Sequence, residues 1–410
     1  MMPEGSTGYA RTVPLQGQDI ICLGPVEWGV INSVTSHSAL GLAKHNRVLY
    51  VEPLRSWATL RRTLRWQRRG KESKPALEHI TDNLWVFRPP PIALPGLTRW
   101  RFVSEANGIV LARLLRRVSR QMGLRDPILW STLYESGSVL RHFASPLRIF
   151  ESVDYDAALA RDDSHRALVL ALEADACRSA DLVMAVTEEL AQPLRAYNTS
   201  VHVVNCAADL EFFGRALDPA TPLPPAIARL SRPVIGYLGG VDPWKIDIAL
   251  LRHIAQQHPE WSIALVGYIW FGFDASVFAD CPNIHLLGKQ RYEDFPGFLK
   301  GIDVAIMPFP LNDVTLRGDA LKLYEYLAGG RPVVSTRVPA ACRLADVVRI
   351  ADAADDFARA IEAALAEPPA LRAARLLAVR PHSWEARVRE KSEIVRAALD
   401  ARAIAQMSRS

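Results

Sequence analysis

Short apolar runs alternate with helix-length stretches along the first half of the chain. "IICLG" (20–24), "RVLYVEP" (47–53), "LWVFRPP" (84–90), "PILWST" (127–132), "LRIFESV" (147–153), "LVMAV" (182–186) and "VHVVN" (201–205) each read as a buried strand. Apolar runs of this kind between helical stretches predict a parallel sheet covered by helices on both faces. The proline-rich stretch within 211–232 interrupts the pattern and reads as a linker. The alternation then restarts. "PVIGYLGG" (233–240) is a strand ending in glycines, and 244–258 is a helix with Ile246, Leu250 and Ile254 on one stripe. "SIALVG", "IHLLG" and "VAIMPF" follow, then a helix over 319–328, two glycines, and the strand-like "PVVST". The tail 381–410 predicts an amphipathic helix of about seven turns that crosses back to brace the first domain. The expected fold is thus two similar doubly wound α/β domains, 1–210 and 233–380, joined by 211–232. Sheets of this class bind ligands beyond the carboxyl ends of their strands.

Composition narrows the function classes. A chain of 410 residues is comfortable for two domains, and 49% hydrophobic with 23% charged residues is ordinary for a globular protein. Five cysteines lie far apart with no CxxC, so neither a disulfide framework nor a zinc site is expected. The N-terminal stretch has no apolar core of a signal peptide, and no run approaches the roughly 20 apolar residues of a membrane span. The expectation is a cytoplasmic protein whose membrane contact is peripheral. The net charge of +5 is small, but it is unevenly spread. Segment 55–74 holds eight basic residues and one acidic, with Trp57, Leu60 and Leu64 at helical spacing, and 99–120 is also arginine-rich. A basic amphipathic stretch with tryptophan suits an anionic membrane surface at the inner face of the plasma membrane. No nucleic-acid motif accompanies the charge.

The candidate chemistry centres on "DALKLYEYLAGGRPVVST" (319–336). Lys322 and Glu325 share one face near the helix start. A helix N-terminus with an added lysine suits a phosphate, and a carboxylate one turn along suits a ribose diol. The same spacing also describes an ordinary surface ion pair. In the preceding loop, Thr315 and Arg317 are placed to close on a phosphate. "GYLGGVDPWK" (236–245) offers Gly239 and Gly240 for backbone approach to a diphosphate and Lys245 to neutralise it. Its spacing is neither the dinucleotide fingerprint nor a Walker loop. Asp154, just past "RIFESV", is the candidate general base, with a helix N-cap as its structural alternative. "DYD" (154–156) has DxD spacing, but that is frequent by chance and no metal is expected. Glu27, Trp28 and Gly29 follow the first strand and would lie at that domain's ligand edge, or cap its core.

These segments look familiar. "HPEWSIALVGY", "NIHLLGKQRYEDFPGFLKGIDVAIMPF" and "LKLYEYLAGGRPVVST" resemble the donor domain of GT-B-fold glycosyltransferases, among them bacterial teichuronic-acid and exopolysaccharide enzymes. "SADLVMAVTEELAQPL" and "VHVVNCAADLEFF" are similar to two further segments of that family, with Cys206, Ala207 and Ala208 where "N-G-V-D" continues. The resemblance implies the GT-B fold, two Rossmann-like domains facing a cleft, and a nucleotide-diphosphate sugar as donor with no other cofactor. It implies a lipid-linked or glycan acceptor. By the same resemblance Glu325 binds the ribose, Lys322 contacts the donor and Asp154 is the base. Arg317 stands where the family usually has a second glutamate. A nucleotide-sugar epimerase and a non-catalytic transferase-like scaffold are the rival readings.

Overall fold

The computed structural model describes residues 15–29, 33–56, 75–95, 100–270 and 272–407. Basic segment 55–74 therefore lies outside the described residues except for Arg55 and Ser56. Two compact units emerge: residues 1–185, 191–204 and 385–410 form the first, and 186–190 with 205–384 the second.

In the first unit, the sheet holds β1 (Asp19–Leu23), β2 (Arg47–Val51), β3 (Leu77–Thr81), β4 (Leu84–Phe87), β5 (Ile128–Ser131), β6 (Arg148–Ser152), β7 (Leu182–Ala185) and β8 (Val201–Val203). Their order is β3-β4-β2-β1-β5-β6-β7-β8. All neighbours pair in parallel except β3 with β4. Every residue of β1 and β5 is buried, as helices on both faces demand. β3 reads "LEHIT", is half exposed throughout and forms the antiparallel edge. Sequence pattern missed it because an edge strand needs no apolar run.

The helix Trp384–Met407 belongs to this unit from Glu385 onward. Val388 and Val395 are part of the first unit's apolar core, and Ile394, Ala398 and Leu399 pack against it. A polar network fastens the same helix. Lys391 Nζ donates to Glu151 Oε1 (2.6 Å) and to Ser38 Oγ (2.8 Å), and Trp130 Nε1 donates to Glu151 Oε2 (2.8 Å). Lys391 and Glu151 are each only 1% exposed. A buried pair with its lone pairs met this fully is tolerated, but losing one partner strands a charge in the core.

The second unit's sheet holds β9 (Val234–Leu238), β10 (Ser262–Val266), β11 (Ile284–Gly288), β12 (Val304–Met307), β13 (Val333–Ser335) and β14 (Arg349–Ile350). Their order is β11-β10-β9-β12-β13-β14, all parallel. The order reverses between β9 and β12, so the loops after these two strands flank the switch point where such sheets take ligands. The stretch read as a linker is folded into this unit. It contains the helices Leu210–Gly214 and Pro225–Ala228, and buries Phe213 and Ile227. Lys300 Nζ gathers the carbonyls of Asp218 (3.1 Å), Pro219 (2.7 Å) and Thr221 (2.7 Å), which ties the proline-rich turn to the helix Phe295–Gly301.

Replacing Lys391 with Met should cost about 3–5 kcal/mol of stability by leaving Glu151 unpaired. Adding Glu151→Gln should recover part of that loss. Urea unfolding of the two variants measures both effects; equal stability of wild type and Lys391→Met would refute the role of the pair.

Candidate functional site

At the carboxyl ends of β9 and β10, two glycines bring backbone against backbone. Gly239 has φ +148° and Gly267 φ +150°, conformations that side chains rarely adopt. A Cβ on Gly267 would lie 2.0 Å from the carbonyl oxygen of Gly239. A Cβ on Gly239 would lie 2.0 Å from Lys322 Cε. The lysine's stem therefore runs across the bare face of Gly239, with its ammonium 5.3 Å from the centroid of the Tyr237 ring. Tyr237 is fully buried, and its hydroxyl donates to the Gly240 carbonyl (2.9 Å), which fixes the turn.

Lys322 is the second residue of the helix Leu321–Ala328 and Glu325 the fifth. The helix starts two residues later than the sequence suggests. Asp319 is drawn away, with its buried carboxylate accepting from the Cys206 N–H (2.7 Å), from the Tyr324 hydroxyl and from Arg343. The residue before the first turn is Ala320, which supplies no side-chain cap, so the positive end of the helix is left to other acceptors. Tyr326 anchors the helix to the sheet, its hydroxyl accepting from the Leu238 N–H (2.8 Å). Burial pushes the Glu325 carboxyl up to about 7, with Lys322 pulling the other way. Among the described residues, the Glu325 side chain has no hydrogen-bond partner. A desolvated, unpartnered carboxyl next to a lysine at a switch point is a mark of a binding site.

The second unit thus brings together Gly239, Gly240, Lys322 and Glu325, and adds Lys245 nearby. Lys245 does not begin a helix. Asp247 caps the helix Ile248–Gln257 by accepting from the Leu250 N–H (2.9 Å), which leaves 240–246 as a loop. Thr315 is a correction. It is 7% exposed and belongs to the capping box of the helix Asp313–Arg317, with its hydroxyl donating to the Pro310 carbonyl. Its proton is committed within the loop, so it is not a phosphate contact here. Arg317 likewise turns to the Glu189 carbonyl (3.3 Å) and lies 3.8 Å from Asp313.

Asp154 belongs to the first unit, beyond β6, and is exposed. It caps no helix: Tyr155 occupies the N-cap of the short 3₁₀ turn Asp156–Leu159 without a side-chain bond. Sequence reading took its neighbour Asp156 only as part of the DxD spacing. Burial, joined by the charges of Asp154, Glu135 and Glu173, raises the Asp156 carboxyl to about 7. Trp28 packs edge-on against Tyr50 (4.9 Å), while Glu27 pairs with Arg55. Both have structural roles.

Two more residues were missed in the second unit. Gly267 was read only as a strand end; its signal was a glycine directly after an apolar run. Asp242 lies against the second glycine, since a Cβ on Gly240 would be 2.8 Å from its Oδ2. Burial raises the Asp242 carboxyl, and Lys245 and Lys322 oppose the rise.

Residues 232–367, which lie in the second unit, match the family "Glycosyl transferases group 1". TuaH of Bacillus subtilis (strain 168), named as a teichuronic acid biosynthesis glycosyltransferase, is 27% identical over 164 residues. That match covers 38% of this chain and 39% of TuaH, so it spans well under half of the relative's length. Among solved structures, sucrose-phosphate synthase from Thermosynechococcus elongatus superposes with a TM-score of 0.69 at 16% identity, covering 94% of this chain and all of that one. A UDP-forming α,α-trehalose-phosphate synthase from Burkholderia vietnamiensis gives 0.69 at 12% identity, covering 94% and 100%. The E. coli trehalose-6-phosphate protein bound with UDP-2-fluoro glucose gives 0.63 at 14% identity, covering 93% and 99%. These likenesses show the fold, which is GT-B.

The raised Glu325 carboxyl has a sign that can be tested. The folded state holds this proton up to about pH 7, whereas the unfolded chain releases it near 4.5. Stability from this group is therefore present below pH 4.5 and lost as pH rises through 7. Glu325→Gln should stabilise the ligand-free protein at pH 8 by on the order of 2 kcal/mol. Thermal melts from pH 5 to 8 should show the gain growing with pH; a gain that does not change with pH contradicts the assignment.

Proposed function

We propose that the chain is a metal-independent glycosyltransferase. It moves a sugar from a nucleotide-diphosphate sugar to a lipid-linked or polysaccharide acceptor, in cell-envelope or exopolysaccharide synthesis. The observation that carries this reading is Glu325, desolvated and unpartnered, one turn from Lys322 over the bare backbone of Gly239. Lys322, Lys245 and the uncapped helix start answer the charge of a diphosphate. Glu325 in its ionised form accepts the ribose hydroxyls. As the sugar–phosphate bond breaks, negative charge grows on the leaving diphosphate and these fixed positive groups stabilise it. Asp154 takes the proton of the acceptor hydroxyl. The group 1 domain and the UDP-forming synthases of like fold support this reading.

Purified chain mixed with a panel of nucleotide sugars and an envelope lipid extract should release nucleoside diphosphate and glycosylate the lipid, with EDTA present. Lys322→Met should weaken nucleoside diphosphate binding about tenfold or more, about 1.4 kcal/mol, by calorimetry. Asp154→Asn should abolish turnover and leave that binding intact. An epimerized but intact nucleotide sugar would establish the epimerase rival, and the absence of any reaction with the whole panel would favour the scaffold.

The peripheral location is part of the same proposal. Trp100 and Phe102 are 50% and 67% exposed and stack at 5.9 Å beside Arg101. The helix Arg101–Met122 continues with exposed Arg113, Arg116, Arg117 and Arg120. Exposed aromatics beside cations suit an anionic bilayer. No helix among the described residues is long and apolar enough to cross a membrane. The chain should sediment with vesicles containing phosphatidylglycerol and not with pure phosphatidylcholine. The double variant Trp100→Ala, Phe102→Ala should lose most of that binding; undiminished sedimentation counts against this surface.

A further inference from the structure

Three loops leave the second unit's sheet beside Gly239, and they are laced together. The Val241 N–H donates to the Tyr268 carbonyl (2.8 Å), and the Trp270 N–H returns a bond to the Val241 carbonyl (3.1 Å). Asn312 Nδ2 donates to the Trp244 carbonyl (2.9 Å), and the Asp247 N–H to the Pro308 carbonyl (2.8 Å). On this rigid base stands an aromatic corner. Trp244 and Trp270 meet edge to face at 4.8 Å, and Tyr268 meets Trp270 the same way at 6.5 Å. Tyr268 is 50% exposed and Trp270 44%. Large aromatic faces left open on a backbone-paired loop are costly unless something covers them.

The same loop carries Asp242 and Lys245. Among the described residues neither side chain makes a hydrogen bond. Lys322 is the common neighbour of two carboxyls, since its charge acts on Glu325 and on Asp242. Asp242 also feels Lys245, whereas Glu325 does not. A diphosphate held at Lys322 therefore has one carboxyl on the helix side and another on the side of the aromatic loop. If Glu325 takes the nucleoside, the opposite end of the diphosphate meets Asp242 and the aromatic corner.

We propose that Trp244, Tyr268, Trp270 and Asp242 form a pyranose subsite. The C–H face of the sugar ring lies on an indole, and the ring hydroxyls donate to the Asp242 carboxylate. This deepens the transferase reading and rests on it for the identity of the ring. The chemistry is shared by two sources, the sugar of the donor and a sugar of the acceptor glycan. A free base would stack on the same faces, but it carries no vicinal hydroxyls for a carboxylate.

Calorimetry on the full chain tests the subsite with paired probes: UDP against UDP-glucose, UDP-galactose and UDP-glucuronate, and the matching GDP and ADP pairs. Methyl glucopyranosides and methyl galactopyranosides, followed by saturation-transfer NMR, serve as free rings. For a donor subsite, Trp270→Ala and Asp242→Asn should weaken the nucleotide sugar about tenfold and the bare nucleotide less than twofold. For an acceptor subsite, both nucleotide affinities hold while the free glycoside signal is lost and the acceptor KM rises. Equal weakening of nucleotide and nucleotide sugar would mean a stacked base and overturn the proposal. Unchanged binding of every probe overturns it as well. Should Trp270→Ala fail to fold, Tyr268→Ala and Asp242→Asn carry the same comparison. If wild type binds glycosides but no nucleotide, the transferase reading fails and the subsite stands.

Discussion

The carbonyl of Gly239 occupies the space that a side chain at position 267 would need, and the stem of Lys322 occupies the space of one at 239. Everything else in the candidate site follows from that double exclusion. With no Cβ on either residue, the ends of β9 and β10 close on each other and the helix Leu321–Ala328 settles over the gap. Its lysine is then held against the Tyr237 ring, which is buried and tethered to Gly240. A cation and an uncapped helix start meet at one spot because backbone, not side chain, lines it. The position between β9 and β12 is where the sheet order reverses, so topology and local geometry select the same place.

The buried carboxyls fall into two kinds. Glu151 is fully enclosed yet has a lysine and an indole to answer both its oxygens. Glu325 and Asp156 are pushed up to about 7, chiefly by burial, and for Asp156 the nearby acidic groups act in the same direction. A carboxyl held this way costs folding stability above neutral pH, and a framework residue has no reason to bear it. Satisfied polar groups therefore mark the scaffold, and unsatisfied ones mark where chemistry is expected.

Much of this was legible in the amino-acid order. The buried strands announced themselves as apolar runs, and "AGG" marked the helix end, where Gly330 does adopt a left-handed φ of +67°. That Lys322 and Glu325 share one face could be read from spacing, because a helix places residues three apart side by side. What stayed hidden depends on contacts between distant residues. Thr315 looked free because nothing local shows that the Pro310 carbonyl would take its proton. The proline-rich stretch looked like a linker because three carbonyls gathered by Lys300, some eighty residues on, leave no trace in composition. Asp242 was invisible for the opposite reason: it is one more aspartate in a loop until Gly240 and Lys322 are placed beside it.

The course of the chain bears on how these parts are assembled. The second unit draws almost all its residues from one continuous stretch, 205–384, and needs only 186–190 in addition. The first unit is discontinuous and is completed by 385–410. Until Lys391 arrives, Glu151 and the Trp130 indole share a core that lacks its cation. The second unit has every strand of its sheet once β14 is made, so the glycine contact and the Lys322 helix can form before the first unit closes. The buried ion pair thus fastens the last helix to the first unit, and its strength is felt only when that helix docks.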